Sequence, residues 1–358
     1  RQSLCTDSLY GCLWRNLAKT ELSAALPTGV APDGRTIYAD LQALGTPNLT
    51  MLTNGDGGES TVISFSLAKE FDFGFDFNVG YAYQDVNAIS EGTSSRGISS
   101  WRGITATDRN FPSSRTSPFQ VEHTFRISLG YENEFISDLT SRFDLFGQIS
   151  SGSPFTFTYD INNDNSLFGR AGNGESPFDN NPLYIPTEGG DPLVVYGSGF
   201  DQAAFFDYVG RYDIPQGQIH EVNSAYSAWN QRWDFRFQQE LPGIPGLSNV
   251  VGRNRLKFVL DIQNVLNLIN DDWGTMYNGP GNNQLGIVQA DLISRTDPNY
   301  ISGNYDAATA LTLDAARTTC TTANACVYRY RDFDNDPTSF RDNPDSVFAI
   351  RVGLRYEF

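Results

Sequence analysis

Seven stretches of this chain alternate apolar and polar residues with a period of two, and in all seven one register carries no charge. Successive side chains of a strand point to opposite faces, so each stretch predicts a two-faced β-strand. The strongest runs from Phe71 to Gln84: Phe71, Phe73, Phe75, Phe77, Val79, Tyr81 and Tyr83 stand opposite Asp72, Gly74, Asp76, Asn78, Gly80, Ala82 and Gln84. The others lie at 63–68, 125–131, 143–149, 233–237, 256–262 and 348–358. The facing register mixes Asp, Arg, Lys and Glu with Gly, Ser and Ala. Such segregation fits a soluble sandwich with its apolar face inward, or a membrane barrel with that face outward.

The connections separate the two. They alternate short and long in chain order: short near 69–70, 133–138 and 241–254, long at 85–118, 159–227 and 269–347. A sandwich has no reason to place every long connection at one end, whereas an outer-membrane barrel has short periplasmic turns and long external loops. The expectation is therefore an all-β, transmembrane antiparallel β-barrel, with strands within 60–358 and external loops at 85–118, 159–227 and 269–347. Residues 1–59 show no sustained periodicity and are expected as a further external loop. Seven strands are too few to close a bacterial barrel, which has an even number of at least eight. The first of them descends, so an ascending strand is expected ahead of residue 1.

Charge follows the same division. The formal net charge is −17, and 159–227 together with 269–347 supply −14 of it. A chain this acidic lacks the basic face that nucleic acid requires. No run of eighteen apolar residues occurs, which excludes a transmembrane helix but not strands, each of which needs only about 9–11 residues to cross. The four cysteines form two local pairs, Cys5 with Cys12 and Cys320 with Cys326, without metal-binding spacing, and are expected as loop-stapling disulfides in an oxidising compartment.

Arg126, Arg142, Asp144, Arg232, Asp234, Arg236, Lys257, Asp261, Arg351 and Arg355 fall in the charged register and are expected to face the lumen, touching a plug or substrate or pairing across strands. Trp229, Trp233, Tyr131 and Tyr356 are expected near the membrane interfaces. Two motifs carry oxygen ligands at the spacing Ca²⁺ uses: Asp332, Asp334 and Asp336, and Asp160, Asn162 and Asp164. Neither has the Gly and Glu of an EF-hand loop. With no HExxH, GxSxG or P-loop motif, and only His123 and His220 for acid–base work, no enzymatic activity is expected.

NRLKFVLDIQNVLNLINDDWG (254–274), SGSPFTFTYDINND (151–164) and the closing RVGLRYEF resemble the carboxyl-terminal barrel of TonB-dependent receptors, most closely the Oar-like group of Gram-negative bacteria. The resemblance covers most of 60–358, the acidic loops only in character. It implies an outer-membrane location and a 22-stranded barrel of which this chain is the carboxyl-terminal part. It further implies a missing amino-terminal barrel and plug portion through which the TonB complex acts, and uptake of an external ligand captured by the loops. The terminal Phe358 resembles the signal read by the barrel-assembly machinery. The alternative is a surface or adhesion protein whose barrel anchors partner-binding loops; a passive porin would not need loops of this length.

Overall fold

The computed structural model describes residues 29–38, 55, 57–90, 92–109, 111–160, 167–169, 180–243 and 255–357. Cys5, Cys12, Asn162, Asp164 and Phe358 lie outside the described residues.

The seven expected strands form one sheet in chain order: β1 (Glu59–Glu70), β2 (Phe75–Ala88), β3 (His123–Ile136), β4 (Leu139–Ser150), β5 (Asn230–Leu241), β6 (Arg255–Gln263) and β7 (Ala349–Glu357). Every neighbouring pair is antiparallel. Among the described residues the order runs from β1 to β7 without joining the two ends. No described helix is long and apolar enough to cross a membrane.

One boundary differs from expectation. The alternation from Phe71 reads as strand, but β2 begins at Phe75, and Phe71–Gly74 is the turn from β1. The Phe71 amide donates to the Phe75 carbonyl (2.9 Å), and the Gly74 amide to the Phe71 carbonyl (3.0 Å). Gly74 has φ +87°, and a Cβ there would collide with the Glu132 carbonyl, so only glycine fits. The Phe71 ring lies tilted against Phe75 and Phe77 and the Phe73 ring stacks on Phe75, so the turn keeps the strand's apolar spacing and periodicity hides it.

The apolar register is not covered. On the outer strands Ile63, Phe65 and Leu67 are 60%, 64% and 53% exposed, and Ile350, Val352 and Leu354 53%, 63% and 70%. A sandwich would bury this face, and no residue of the seven strands belongs to the buried core. Aromatic rings bound the face at both ends. Tyr81 and Tyr83 surround His123, whose ring stacks on Trp229 at the end with long connections, while Tyr131, Phe135 and Phe143 meet at the other. From Phe75 to Tyr83 is about 27 Å along the strand at about 3.4 Å per residue. At a tilt of about 40° that gives about 21 Å, close to the apolar band of about 25 Å in membrane barrels.

The core lies elsewhere. The described residues of the acidic segments 159–227 and 269–347, expected as loops, fold with residues 29–38 and 151–158 into a lobe at the end of the sheet opposite the short turns. Its five-stranded sheet has the order Val194–Tyr196, Cys326–Phe333, Gln284–Ser294, Pro154–Tyr159, Ala225–Tyr226. Pro154–Tyr159 therefore leaves the path of β4 and joins the lobe. The chain bends where Gly152 lets Ser227 approach so closely that a Cβ would overlap it. Phe155, Phe157, Tyr159, Phe205, Tyr208, Tyr328 and Tyr330 are at most 1% exposed and interlock as tilted and edge-on rings. Burial of each such ring stabilises by roughly 1.5–3 kcal/mol. The expected bond between Cys320 and Cys326 is formed, both residues being fully buried. Residues 29–38, within the segment expected as a loop, form a hairpin whose Val30 amide donates to the Cys320 carbonyl (2.7 Å).

Candidate functional site

The polar register gathers the predicted charges on one face of the sheet, where most are paired. Arg142 reaches Asp144 (2.8 Å), Asp76 (3.2 Å) and Glu132 (3.6 Å). It can cross β3 because Gly130 lies between: a Cβ on Gly130 would stand 2.7 Å from Arg142 Nη2 and would overlap the Asp76 carboxylate. Arg236 donates twice to Asp261 (2.6 and 3.3 Å). Arg232 bonds Asp234 two residues along its strand (3.0 Å), and Asp234 also accepts the Asn264 amide (2.8 Å). Glu240 takes Arg255 at 3.0 Å and Lys257 at 3.9 Å. In register, Arg351 stands opposite Asp261, and Arg355 opposite Lys257. Arg126 is exposed between Gly80 and Gln148. The surface is charged, and most of its charges are paired.

Amide side chains join the lobe to the sheet. Asn264, 1% exposed and at φ +51°, donates to the carbonyls of Gly274 (2.8 Å) and Ser346 (2.7 Å). Asn230 exchanges hydrogen bonds with the Tyr277 backbone, and Asn223 donates to the Thr116 carbonyl (2.7 Å). Each amide satisfies backbone groups that the bends leave without ladder partners.

Within the lobe, Arg35 is 5% exposed and lies 4.0 Å above the Phe168 ring. Its Nε donates to Asp33 Oδ2 (2.9 Å) and its Nη1 to the Pro182 carbonyl (2.7 Å). A second buried pair joins Arg329 to Asp291 (2.6 Å), with Arg331 on the same carboxylate at 3.0 Å. These two anchors come from segments whose sequence shows no charge periodicity. The signal for the first was the turn in GVAPDGRTI (29–37), where Pro-Asp-Gly separates two short apolar runs. Between that turn, Tyr184, Gln218 and Ala323 opens a cleft of about 490 Å³, with Leu193 and Ile219 among its apolar lining.

Of the second proposed calcium motif only Asp160 is described, and it lies beside Asp334 of the first. Burial first, and then the carboxylates of Asp160, Asp332 and Asp336, push the Asp334 carboxyl above its ordinary range. Asp332 caps its own chain through the Phe333 amide (3.0 Å), and Asp160 accepts from Gln289 (2.9 Å). Among the described residues no three such side chains are gathered closely enough to hold a metal ion. A raised folded-state pKa means that the folded lobe holds the proton more tightly than the unfolded chain, so Asp334 costs stability above its folded pKa and the cost vanishes below its unfolded value. Asp334→Asn is expected to raise the melting temperature of the lobe at neutral pH, with the difference fading as pH falls toward 3.8; thermal melts at several pH values check this. A variant less stable than the parent at pH 7 would contradict it.

No family model, curated protein or solved structure matches this chain.

Proposed function

We propose that this chain is the carboxyl-terminal wall of an outer-membrane TonB-dependent receptor of the Oar-like kind, in which the folded lobe captures an external ligand and the charged sheet face lines the path inward. The observation that carries the reading is the uncovered apolar face of the seven-stranded sheet, bounded by aromatic rings and joined to a sheet face where charges pair. Water penalises such a face, but lipid stabilises it, and a lipid-exposed wall cannot tolerate the charges kept on the other side. The depression beside Tyr184 and Gln218 is shallow and open to solvent, and it gives the lobe a concave surface for an external partner. The acidity of the lobe-forming segments favours cations or basic peptides through long-range attraction.

A second reading, a surface or adhesion protein anchored by its barrel, is favoured by the lobe's own aromatic core, which makes it a firm platform rather than a set of loops. The intact mass and amino-terminal sequence of the protein extracted from outer membranes in mild detergent test both. The receptor reading expects a species well above 39.6 kDa, or a tightly held second fragment, carrying a plug and a TonB box. A large species without them supports the anchor. A lone folded monomer of 39.6 kDa overturns the larger-barrel reading.

A further inference from the structure

Three side chains of the lobe tie down the first long connection, 85–118. Gln284 Nε2 donates to the Thr105 hydroxyl (2.7 Å), Asn180 Nδ2 to the Ile104 carbonyl (3.0 Å), and the Tyr38 hydroxyl to Asp108 Oδ2 (2.7 Å). Next to Asp108 stands Arg109, half-buried as a residue. Its guanidinium carbon lies 5.4 Å from the centre of the Trp101 ring, and its Nη2 donates to the Gly169 carbonyl (3.3 Å). Its Nη1 is buried and has no hydrogen-bond partner. Among the described residues Arg109 forms no ion pair, the adjacent Asp108 carboxylate accepting the Tyr38 hydroxyl instead. Arg35 and Arg329 differ, for their buried guanidinium groups meet Asp33 and Asp291. Burying a charge is costly unless it is paired, and burial holds the Arg109 pKa down, to about 10, against the pull of Asp108.

We propose that Arg109 is an oxyanion subsite of the lobe, its free Nη1 donating to a carboxylate or phosphate oxygen of the bound ligand. This rests on the reading of the lobe as the part that captures an external ligand, and it names the chemistry that the ligand must present. A guanidinium offers its N–H groups in a planar fork that matches both oxyanions, and such charge-assisted bonds are about twice as strong as neutral ones. One bond to a neutral carbonyl does not offset the desolvation of a full charge, so a purely structural tie leaves the buried Nη1 without a purpose. An oxyanion supplies the missing counter-charge, while the Trp101 ring and the Gly169 carbonyl hold the fork in place. The acidity of the lobe-forming segments draws cations at long range, whereas this subsite acts at contact. Together they select a ligand that bears both signs of charge.

Acetate and inorganic phosphate, each titrated against chloride at constant ionic strength, test this in the protein extracted from its native membrane in mild detergent. The readout is the temperature at which limited proteolysis begins to cut the lobe. A ligand that binds only the folded state raises that temperature, and the rise saturates. The parent is expected to show a saturable rise with at least one of the two ions, and Arg109→Gln is expected to lose it. A rise with acetate alone assigns a carboxylate ligand, and a rise with phosphate alone a phosphorylated one. In chloride, Arg109→Gln is expected to resist cutting at least as well as the parent, because it removes a buried charge that lacks a counter-ion. No rise with either ion, an equal rise in parent and variant, or a variant cut at much lower temperature in chloride would each overturn the proposal. The mass and amino-terminal sequence of the same sample read the receptor assignment independently. A protein without plug and TonB box that still shows the Arg109-dependent rise rejects the receptor and retains the subsite, and a plug-bearing protein without the rise does the reverse.

Discussion

Arg35→Ala is expected to open the lobe while leaving the seven-stranded sheet in place. The guanidinium is buried, holds Asp33 and the Pro182 carbonyl, and lies against the Phe168 ring. Its removal strands a buried carboxylate and an unpaired carbonyl and takes away a ring contact. Breaking one partner of a buried pair costs about 3–5 kcal/mol, and a lobe that depends on this hairpin has little stability to spare. Limited proteolysis is expected to cut the lobe of the variant at temperatures where the parent resists, with resistance of the sheet fragment to unheated detergent unchanged. The double variant Asp33→Asn with Arg35→Met is expected to recover part of the loss, since no full charge remains buried. A change below about 1 kcal/mol for Arg35→Ala would show that the pair is not a principal anchor.

Val79→Arg is the second large effect, and its sign distinguishes lipid from water. Val79 lies midway between the two aromatic ends of β2, on the apolar face, with Leu67 and Ile127 across the neighbouring strands. At the centre of a bilayer an arginine on this face costs about 2–4 kcal/mol. In water the same change on an uncovered face would stay within about 0.5 kcal/mol or improve solubility. Urea titration of protein refolded into lipid vesicles, with Ser128→Arg on the charged face as the comparison, measures the difference. Equal midpoints for the two variants would remove the main support for a lipid-facing wall.

The seven strands were legible because each has one uncovered apolar face and one polar face, which forces strict alternation. The lobe was not, for the opposite reason. Leu285, Ile287, Val288, Leu292 and Ile293 in the strand Gln284–Ser294 are all buried, so the apolar residues crowd together instead of alternating. The strand Cys326–Phe333 places Arg329 among tyrosines, where Asp291 neutralises it, and a charge there argues locally against a core strand. Both lie within a strongly acidic stretch whose average composition resembles a loop. The charged face was legible as a set of residues but not as a set of pairs. Arg142 and Asp144 are two positions apart on β4, whereas Asp76, the third member of that cluster, stands two strands away, and the gap at Gly130 that admits the contact is visible only once register is known.

The lobe's sheet also constrains the order in which the molecule can be made. Its central strand, Gln284–Ser294, belongs to the last long connection, yet one of its neighbours, Pro154–Tyr159, belongs to the one before. The aromatic side chains at Phe155, Phe157 and Tyr159 therefore have no complete place to settle until a late part of the chain arrives. Pairings between such distant segments are slow to form and leave apolar surface uncovered while they wait. A polypeptide halted before Gln284 would carry the sticky half of the lobe without its partner and would be a natural target for degradation. Folding of the lobe thus requires that synthesis has passed the strand Cys326–Phe333, a check built into strand order.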